Sequence, residues 1–445
     1  MRVPNVHILR LGAFALGYGL TGALTGGTLN RIMVAELGLP VSLVGLFFAA
    51  PLFIAPLRAW LGHRSDAHPV RGLRREPYIL IGAALAGIGV IAALLLLIGL
   101  MSNPVLLAVS VMLAFLIHEF GRNLSHNSFQ ALLADRFSDK ARARAITLFE
   151  IVTLLGLIIG AGAVGGALRQ YSPERLVGVA VATSLITFVL SALAALRSEP
   201  RTESARRAVE AAHSKPFFHI LRDTVLLDPQ VRFFFVLVTL VVIGTLAQDV
   251  LLEPYGALVL DMTVEQTSRL TMFWGLGVMA AMLASGLFLI QRFGPATILR
   301  IGIIFTIISF VFVIVSGIVG QSGFFRALVM LMGLGTGLAG AGLLTSIIQF
   351  TTRIRAGLLL GVWGFAMVAG RSLGALFGGL IVDLMLPVVS GNALIAYAMV
   401  FALEAVLLVV ALALTVRVRN TVSKAAIEEQ TLFGHAAVTG PAAIS

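Results

Sequence analysis

The chain predicts an all-α membrane protein built from twelve transmembrane helices in two pseudo-symmetric six-helix halves. Three observations predict it. Of the 445 residues, 58% are hydrophobic and 12% charged, against about 25% charged in a soluble domain. Apolar runs of roughly 20 residues, the length that crosses about 30 Å of hydrocarbon, recur six times on each side of a polar stretch. Lys and Arg also alternate with those runs. With both termini on one side, 25 of the 32 Lys and Arg fall in segments on that side. Five lie in loops opposite (Arg31, Arg169, Arg175, Arg269, Arg326) and two inside spans (Arg122, Arg371). The positive-inside rule makes the rich side cytoplasmic. An odd number of spans would spoil the asymmetry.

In chain order, the first six runs fall near 9–30, 41–60, 78–100, 105–133, 145–168 and 176–196. Arg2, His7 and Arg10 lead straight into the first run with no convincing small-residue cleavage site, so it reads as a retained span. These runs make an N-terminal half over 1–196. A cytoplasmic linker over 197–230 follows, polar from Arg201 to Arg207. It then places Phe217, Phe218, Leu221 and Val225 at helical spacing beside Lys215 and Arg222, the pattern of a helix lying on the membrane face. Asp228-Pro229 ends it. The C-terminal half, 231–419, has runs near 231–258, 267–291, 298–319, 324–350, 356–386 and 393–416. The tail, 420–445, is small and polar and is expected to be a disordered cytoplasmic segment.

The halves echo each other. Arg142-Ala143-Arg144-Ala145 matches Arg353-Ile354-Arg355-Ala356 211 residues later, and Gly165-Gly166 matches Gly378-Gly379 213 residues later. Internal symmetry of this kind marks transporter folds whose sites lie between the repeats.

Several function classes drop out. Without cysteine there is no disulfide, thiolate metal site or catalytic thiol. No P-loop, Ser/His/Asp set, HExxH or dinucleotide fingerprint is present, so the chain is not read as an enzyme. The net charge of +11 belongs to cytoplasmic loops facing a lipid bilayer, and nucleic acid is not expected as a partner.

Two charged stretches lie inside spans, where an ionisable group costs about 2.5–3.5 kcal/mol on insertion scales. The seventh span carries Gln248-Asp249-Val250-Leu251-Leu252-Glu253-Pro254-Tyr255-Gly256. Asp249 and Glu253, four residues apart, share a helical face, and Pro254 is expected to kink or end the helix. Arg371 in the eleventh span is placed to neutralise Asp249. The fourth span carries His118-Glu119-Phe120-Gly121-Arg122-Asn123-Leu124-Ser125-His126-Asn127, with His118, Arg122 and His126 along one stripe. Such groups cannot face lipid. Glu404 lies at mid-depth in the twelfth span with no evident partner. After the second span, Gly62, Asp66, Arg74 and Arg75 form a charged loop. There Asp66 can pair with an arginine and latch two spans, or the charges can simply be solvated and topogenic.

Two six-span halves joined by a long loop, with Gly62, Asp66 and Arg74-Arg75 after span two, resemble the major facilitator superfamily. Within it, Leu61-Gly62-His63-Arg64-Ser65-Asp66 and Gly72-Leu73-Arg74-Arg75-Glu76-Pro77-Tyr78-Ile79 resemble the PucC/LhaA-type bacteriochlorophyll-delivery family. So do Ala131-Leu132-Leu133-Ala134-Asp135-Arg136 and the stretch 248–256. The resemblance implies that spans one, four, seven and ten line a central cavity, and that Gly62, Asp66, Arg74 and Arg75 gate it. It implies a cargo of bacteriochlorophyll or a late precursor, handed to light-harvesting antenna polypeptides in the photosynthetic inner membrane of a bacterium. The expected binding residues are His118, Glu119, Arg122, His126, Gln248, Asp249, Glu253, Tyr255 and Arg371. A neutral imidazole can bind the magnesium of a chlorin axially, which makes His118, beside Gly121, the candidate ligand. The competing reading is a Glu119–Arg122 ion pair with the histidines in support. Two other functions stay open: a proton-coupled secondary transporter of a small solute, with Asp249, Glu253 or Glu119 as proton site, and an assembly chaperone that moves nothing.

The topology is directly testable. Reporter fusions after Ser198 and Thr421 should report cytoplasm and one after Asn103 the periplasm; a periplasmic signal at Thr421 would defeat the twelve-span arrangement.

Overall fold

A computed structural model describes residues 5–54, 73–99, 103–137, 139–196, 198, 229–350 and 356–438. Among these, regular structure is helical. The first half holds α1 (Asn5–Ala23), α2 (Val41–Phe48, running on to Ile54), α3 (Glu76–Ile98), α4 (Pro104–Arg136), α5 (Asp139–Ala167) and α6 (Pro173–Ala195). The second holds α7 (Pro229–Leu246), α8 (Leu252–Leu260), α9 (Val264–Ala284), α10 (Pro295–Val319), α11 (Ser322–Phe350), α12 (Ala356–Val388) and α13 (Ala393–Val438). After α1 the chain stays helical through two π-turns, Leu24–Thr28 and Ile32–Glu36. Ten helices among the described residues are long and apolar enough to cross a membrane. The expected twelve also counted this interrupted first segment and Val41–Ile54, whose continuation lies outside the described residues.

Helix starts follow from the sequence. Asn103 accepts from Val105 N and Leu106 N at 3.0 and 3.1 Å ahead of Pro104, and Ser172 accepts from Arg175 N ahead of Pro173. Side-chain caps of this type satisfy first-turn donors, and proline at the first position lacks a donor there anyway. Thr263 and Gln266 make a reciprocal capping box at the head of α9.

Each half packs the same way. In the first, α3 lies along α4 and α1 against α5 and α6; in the second, α10 lies along α11 and α7 against α12 and α13. Glycines permit this closeness: a Cβ on Gly121 would fall 2.4 Å from Ala86 N, and one on Gly342 2.5 Å from Leu299 N. The halves meet along two symmetry-related seams, α5 with α9 and α2 with α12.

Polar contacts between halves gather at the face holding the connections 37–40, 168–172 and 261–263, here called distal. Thr28 Oγ1 donates to Ser268 Oγ at 2.8 Å, Arg31 reaches Met262 O at 3.4 Å, and Arg169 approaches Glu265 at 3.5 Å. Asp383 of α12 accepts from Val41 N and Ser42 N of α2 at 3.0 and 2.8 Å. Those amides open a helix and have no intrahelical partner, so a carboxylate from the opposite half caps them.

Three expectations need comment. Gly62 and Asp66, and the linker residues 199–228 with their interfacial helix, lie outside the described residues. The tail differs from expectation: α13 continues to Val438, so 420–438 is helical rather than disordered. Residues 421–433 contain no Pro or Gly and include the strong helix formers Lys424, Ala425, Ala426, Glu428, Glu429, Gln430 and Leu432, which favour helix once a span has nucleated it.

Replacing Asp383 with Ala should lower stability in detergent by about 0.5–2 kcal/mol, the usual worth of such a cap, with Asp383→Asn losing less. A thermal midpoint equal to wild type in Asp383→Ala would show that the cap contributes nothing.

Candidate functional site

The site is built by a broken helix. Proline has no N–H, and its ring clashes with the carbonyl four residues back; for Pro254 that is Val250. The chain accordingly leaves α7 at Leu246, makes a 3₁₀ turn over Ala247–Val250, and restarts as α8, which accommodates Pro254 in its first turn. The break frees backbone carbonyls, and Asn30, fully buried in the first segment, donates its Nδ2 to Val250 O at 2.8 Å and Asp249 O at 3.4 Å. Unsatisfied carbonyls in a bilayer cost several kcal/mol each, so one half repairs the break in the other.

The turn aims Asp249 into the space between the halves. Arg371 of α12 donates Nη2 to Asp249 Oδ2 at 2.8 Å. One turn on, Glu253 Oε1 accepts from Thr271 Oγ1 of α9 at 3.0 Å, while its Oε2 is buried without a partner. Gly27 makes this possible: a Cβ there would sit 2.4 Å from Thr271 Oγ1 and 2.5 Å from Glu253 Oε1. These groups line a central cavity with Gly22, Leu157, Leu252 and Trp274. The cavity is small, about 60 Å³, well below the roughly 300–1,000 Å³ of drug-sized sites. Arg371 is 57% exposed and Asp249 19%, so the arginine is the more accessible of the pair.

The other predicted residues divide. Arg371, Asp249 and Glu253 come together. Gln248 and Tyr255 lie behind them: Gln248 is fully buried and donates to Thr245 O, and Tyr255 donates to Val313 O at 3.0 Å among Phe325, Tyr397 and Phe401. The fourth-span stripe fans out. His118 is 1% exposed, with Nδ1 2.7 Å from Ala86 O of α3. A carbonyl only accepts, so Nδ1 carries the proton and Nε2 is a lone-pair acceptor, buried without a partner. Arg122 turns to α1, its guanidinium 4.6 Å above the Tyr18 ring and Nη1 3.4 Å from Thr25 Oγ1. His126 stacks on Tyr18 at 4.9 Å and meets Phe149 of α5 at 5.4 Å. Among the described residues Glu119 and Arg122 form no ion pair; Glu119 instead offers its backbone carbonyl to Asn123 Nδ2.

The expected slot beside Gly121 is also filled, by the α3 backbone at Ala86 and Gly82. Two glycine-bearing helices pack too closely there to admit a macrocycle. Of the loop residues, Arg74 and Arg75 are buried, and neighbouring Glu76 accepts from Ser198 N at 2.8 Å. Sequence reasoning missed Asn30, Gly27, Thr271 and Trp274. The available signal was weak: polar residues and a glycine pair in an otherwise apolar first span.

Comparison with known proteins adds a family and a fold. The family profile described as PUCC protein matches residues 28–422. Over 427 residues the chain is 33% identical to Protein PucC of Rhodobacter capsulatus, covering 93% of this chain and 92% of that one. It is 31% identical over 432 residues to the bacteriochlorophyll synthase 44.5 kDa chain of the same species, covering 92% and 95%. Among solved structures, a point variant of the nucleoside transporter NupG superposes with a TM-score of 0.73 at 15% identity, covering 93% of this chain and 99% of that one. That likeness shows the fold, which is of the major facilitator superfamily type.

The pairing of Asp249 with Arg371 should appear in a double-mutant cycle. Arg371→Gln or Asp249→Asn alone leaves one charge without its partner, a larger defect than losing both. The double variant should therefore be more stable than the sum of the single losses predicts, by about 0.5–3 kcal/mol. Strict additivity of thermal or denaturant midpoints would mean that the contact carries no coupling.

Proposed function

The chain belongs to the PUCC protein family, and from that premise we propose that it serves bacteriochlorophyll delivery and light-harvesting antenna assembly. It holds the pigment or a late precursor and hands it to antenna polypeptides in the inner membrane, both termini cytoplasmic. The observation that carries this reading is the cavity that presents Arg371 beside Asp249 and Glu253. A chlorin offers keto and ester oxygens, all acceptors, and an arginine has five donors of which an adjacent carboxylate takes only part. About 60 Å³ admits only a few atoms, so on this reading those oxygens alone reach Arg371, while the ring system and hydrocarbon tail stay outside the cavity toward lipid.

His118 does not fit the role of axial magnesium ligand in this conformation. Its tautomer suits ligation, since Nε2 has a free lone pair, but the ring is 1% exposed and wedged against α3. Reaching it would require α3 and α4 to part. As for chemistry on the cargo, one relative carries a synthase name, while the groups gathered in the cavity are the Asp249–Arg371 ion pair and a carboxylate held by the Thr271 hydroxyl. Carriage and handover suit it better.

A second reading has a specific observation in its favour. An acid–base pair in a cavity, in a fold shared with a nucleoside transporter, also suits a proton-coupled secondary transporter of a small solute.

Pigment content separates the two. Protein purified gently from a pigmented host should carry bacteriochlorophyll or a late precursor by absorption spectroscopy. Asp249→Asn and Glu253→Gln should lower antenna absorbance per cell severalfold while the protein still accumulates, and His118→Leu should keep its pigment. Colourless wild type with normal antenna in both acid variants would favour the transporter reading.

A further inference from the structure

Behind the cavity, on the side of α7 that faces away from it, lies a second group of buried polar atoms. Glu404 of α13 is 3% exposed, and both its carboxylate oxygens are buried without a hydrogen-bond partner. Gln248, in the 3₁₀ turn, is fully buried; its amide nitrogen serves Thr245 O, and its Oε1 has no donor. The packing register sets these two level. Gly244 of α7 lies against Leu408, and Leu251 and Val400 both meet Gly378. On antiparallel helices those contacts place Glu404, midway between Val400 and Leu408, opposite Gln248. The register thus sets the Glu404 carboxylate level with Gln248 Oε1, three buried oxygens that each lack a hydrogen-bond partner.

An ionised carboxylate in that position has no compensation. Desolvating an unpaired charge costs several kcal/mol even after relaxation, and a buried acceptor left without a donor adds about 1–3 kcal/mol. The titratable groups on the neighbouring elements do not help. Asp249 of the turn is the charge that reaches Glu404, and it has the same sign. Arg371 of α12 is engaged by Asp249, Tyr255 of α8 donates to Val313 O, and Glu253 is held by Thr271. Tyr397, two turns earlier on α13, has an unpartnered hydroxyl but cannot neutralise a charge. A single proton resolves the arrangement: it makes Glu404 neutral and supplies the O–H donor that Gln248 Oε1 lacks.

We propose that Glu404 is a proton-binding site of this protein, a neutral carboxylic acid whose O–H donates to Gln248 Oε1 and so braces the break in α7. Gln248 precedes Asp249 directly, so the proton on one side of the turn and the Asp249–Arg371 pair on the other share one piece of backbone. A rearrangement that straightens or rotates the turn removes the acceptor from Glu404, and loss of the proton removes the brace from the turn. Proton occupancy is thereby linked to the geometry of the cavity. This holds whichever cargo the cavity takes.

Infrared spectroscopy of the full-length protein in detergent tests the protonation directly. At neutral pH the wild type should show a carboxylic-acid C=O band that Glu404→Gln lacks, with and without sodium in the buffer. Absence of the band, or its disappearance on adding sodium, would overturn the proposal, the latter by making Glu404 a ligand of a metal cation. The brace is tested by a second pair of variants. Glu404→Gln keeps a donor for Gln248 and should melt close to wild type, whereas Glu404→Leu removes it and should melt lower. Restoring balance by Gln248→Leu in the Glu404→Leu background should recover part of that loss. Equal midpoints for Glu404→Gln and Glu404→Leu would show that no hydrogen bond joins the acid to the turn.

Discussion

Everything distinctive in this structure depends on one missing backbone hydrogen. Pro254 cannot continue the hydrogen-bond ladder of the seventh span, and its ring excludes the α-helical position of the carbonyl before it. In water the freed groups would be hydrated. Inside a bilayer they must find protein partners, and the partner is Asn30 of the other half. The break is therefore also a joint between halves. It turns Asp249 out of the helix and into the cavity, where Arg371 meets it, and starts a new helix whose first turn delivers Glu253 beside Thr271.

The polar contacts between halves are unevenly placed, and this bears on how the protein moves. At the distal face the seam is tied by Thr28 with Ser268, Arg31 with Met262, and Asp383 with the start of α2. The seam helices carry small residues, so their backbones approach closely: a Cβ on Gly45 would lie 2.3 Å from Ala375 O. The Thr28 tie is a single neutral hydrogen bond worth about 0.5–1.5 kcal/mol net, and hydrogen bonds to charged groups such as Arg31 and Asp383 are worth about 1.5–3 kcal/mol. A set of such bonds closes one end firmly enough to define a state, yet remains within reach of a ligand's differential affinity for another.

Much of this was legible in the sequence, and the residues show why the rest was not. Hydropathy and Lys/Arg placement are strong signals because the bilayer penalises every exception, so the all-helical, two-half architecture could be read directly. The Asp249–Arg371 contact was legible for the same reason: two opposite charges at mid-depth in one half have few alternatives. Asn30, Thr271 and Gly27 carry no charge; Asn30 and Gly27 meet partners some 220 residues away or more, and Thr271 meets Glu253 only across the turn between α8 and α9, which no local pattern encodes. The fourth-span stripe misled for a geometric reason. At 3.6 residues per turn, each step of four advances about 40° beyond a full turn, so His118 and His126 differ by about 80° around the axis. On a helix wedged among neighbours, that aims His118 at α3, Arg122 at α1 and His126 toward α5. One apparent surface became three separate contacts.

The chemistry a cavity can perform is set by the capacity left after its own groups have satisfied one another. His118 has one free acceptor, enclosed where nothing reaches it. Arg122 spends its face on Tyr18 and one nitrogen on Thr25. Asp249 is occupied by Arg371, and Glu253 is half occupied by Thr271 and pressed against Gly27. Arg371 alone among the ionised groups lining the cavity combines a partner that fixes its position with an exposed guanidinium edge. Five donors in a rigid plane, of which a carboxylate uses at most two, leave a preoriented set facing the cavity. Such a set is complementary to groups rich in oxygen acceptors and poor in donors. It meets them without releasing Asp249, whose charge would otherwise stand unpaired at the break on which the site is built.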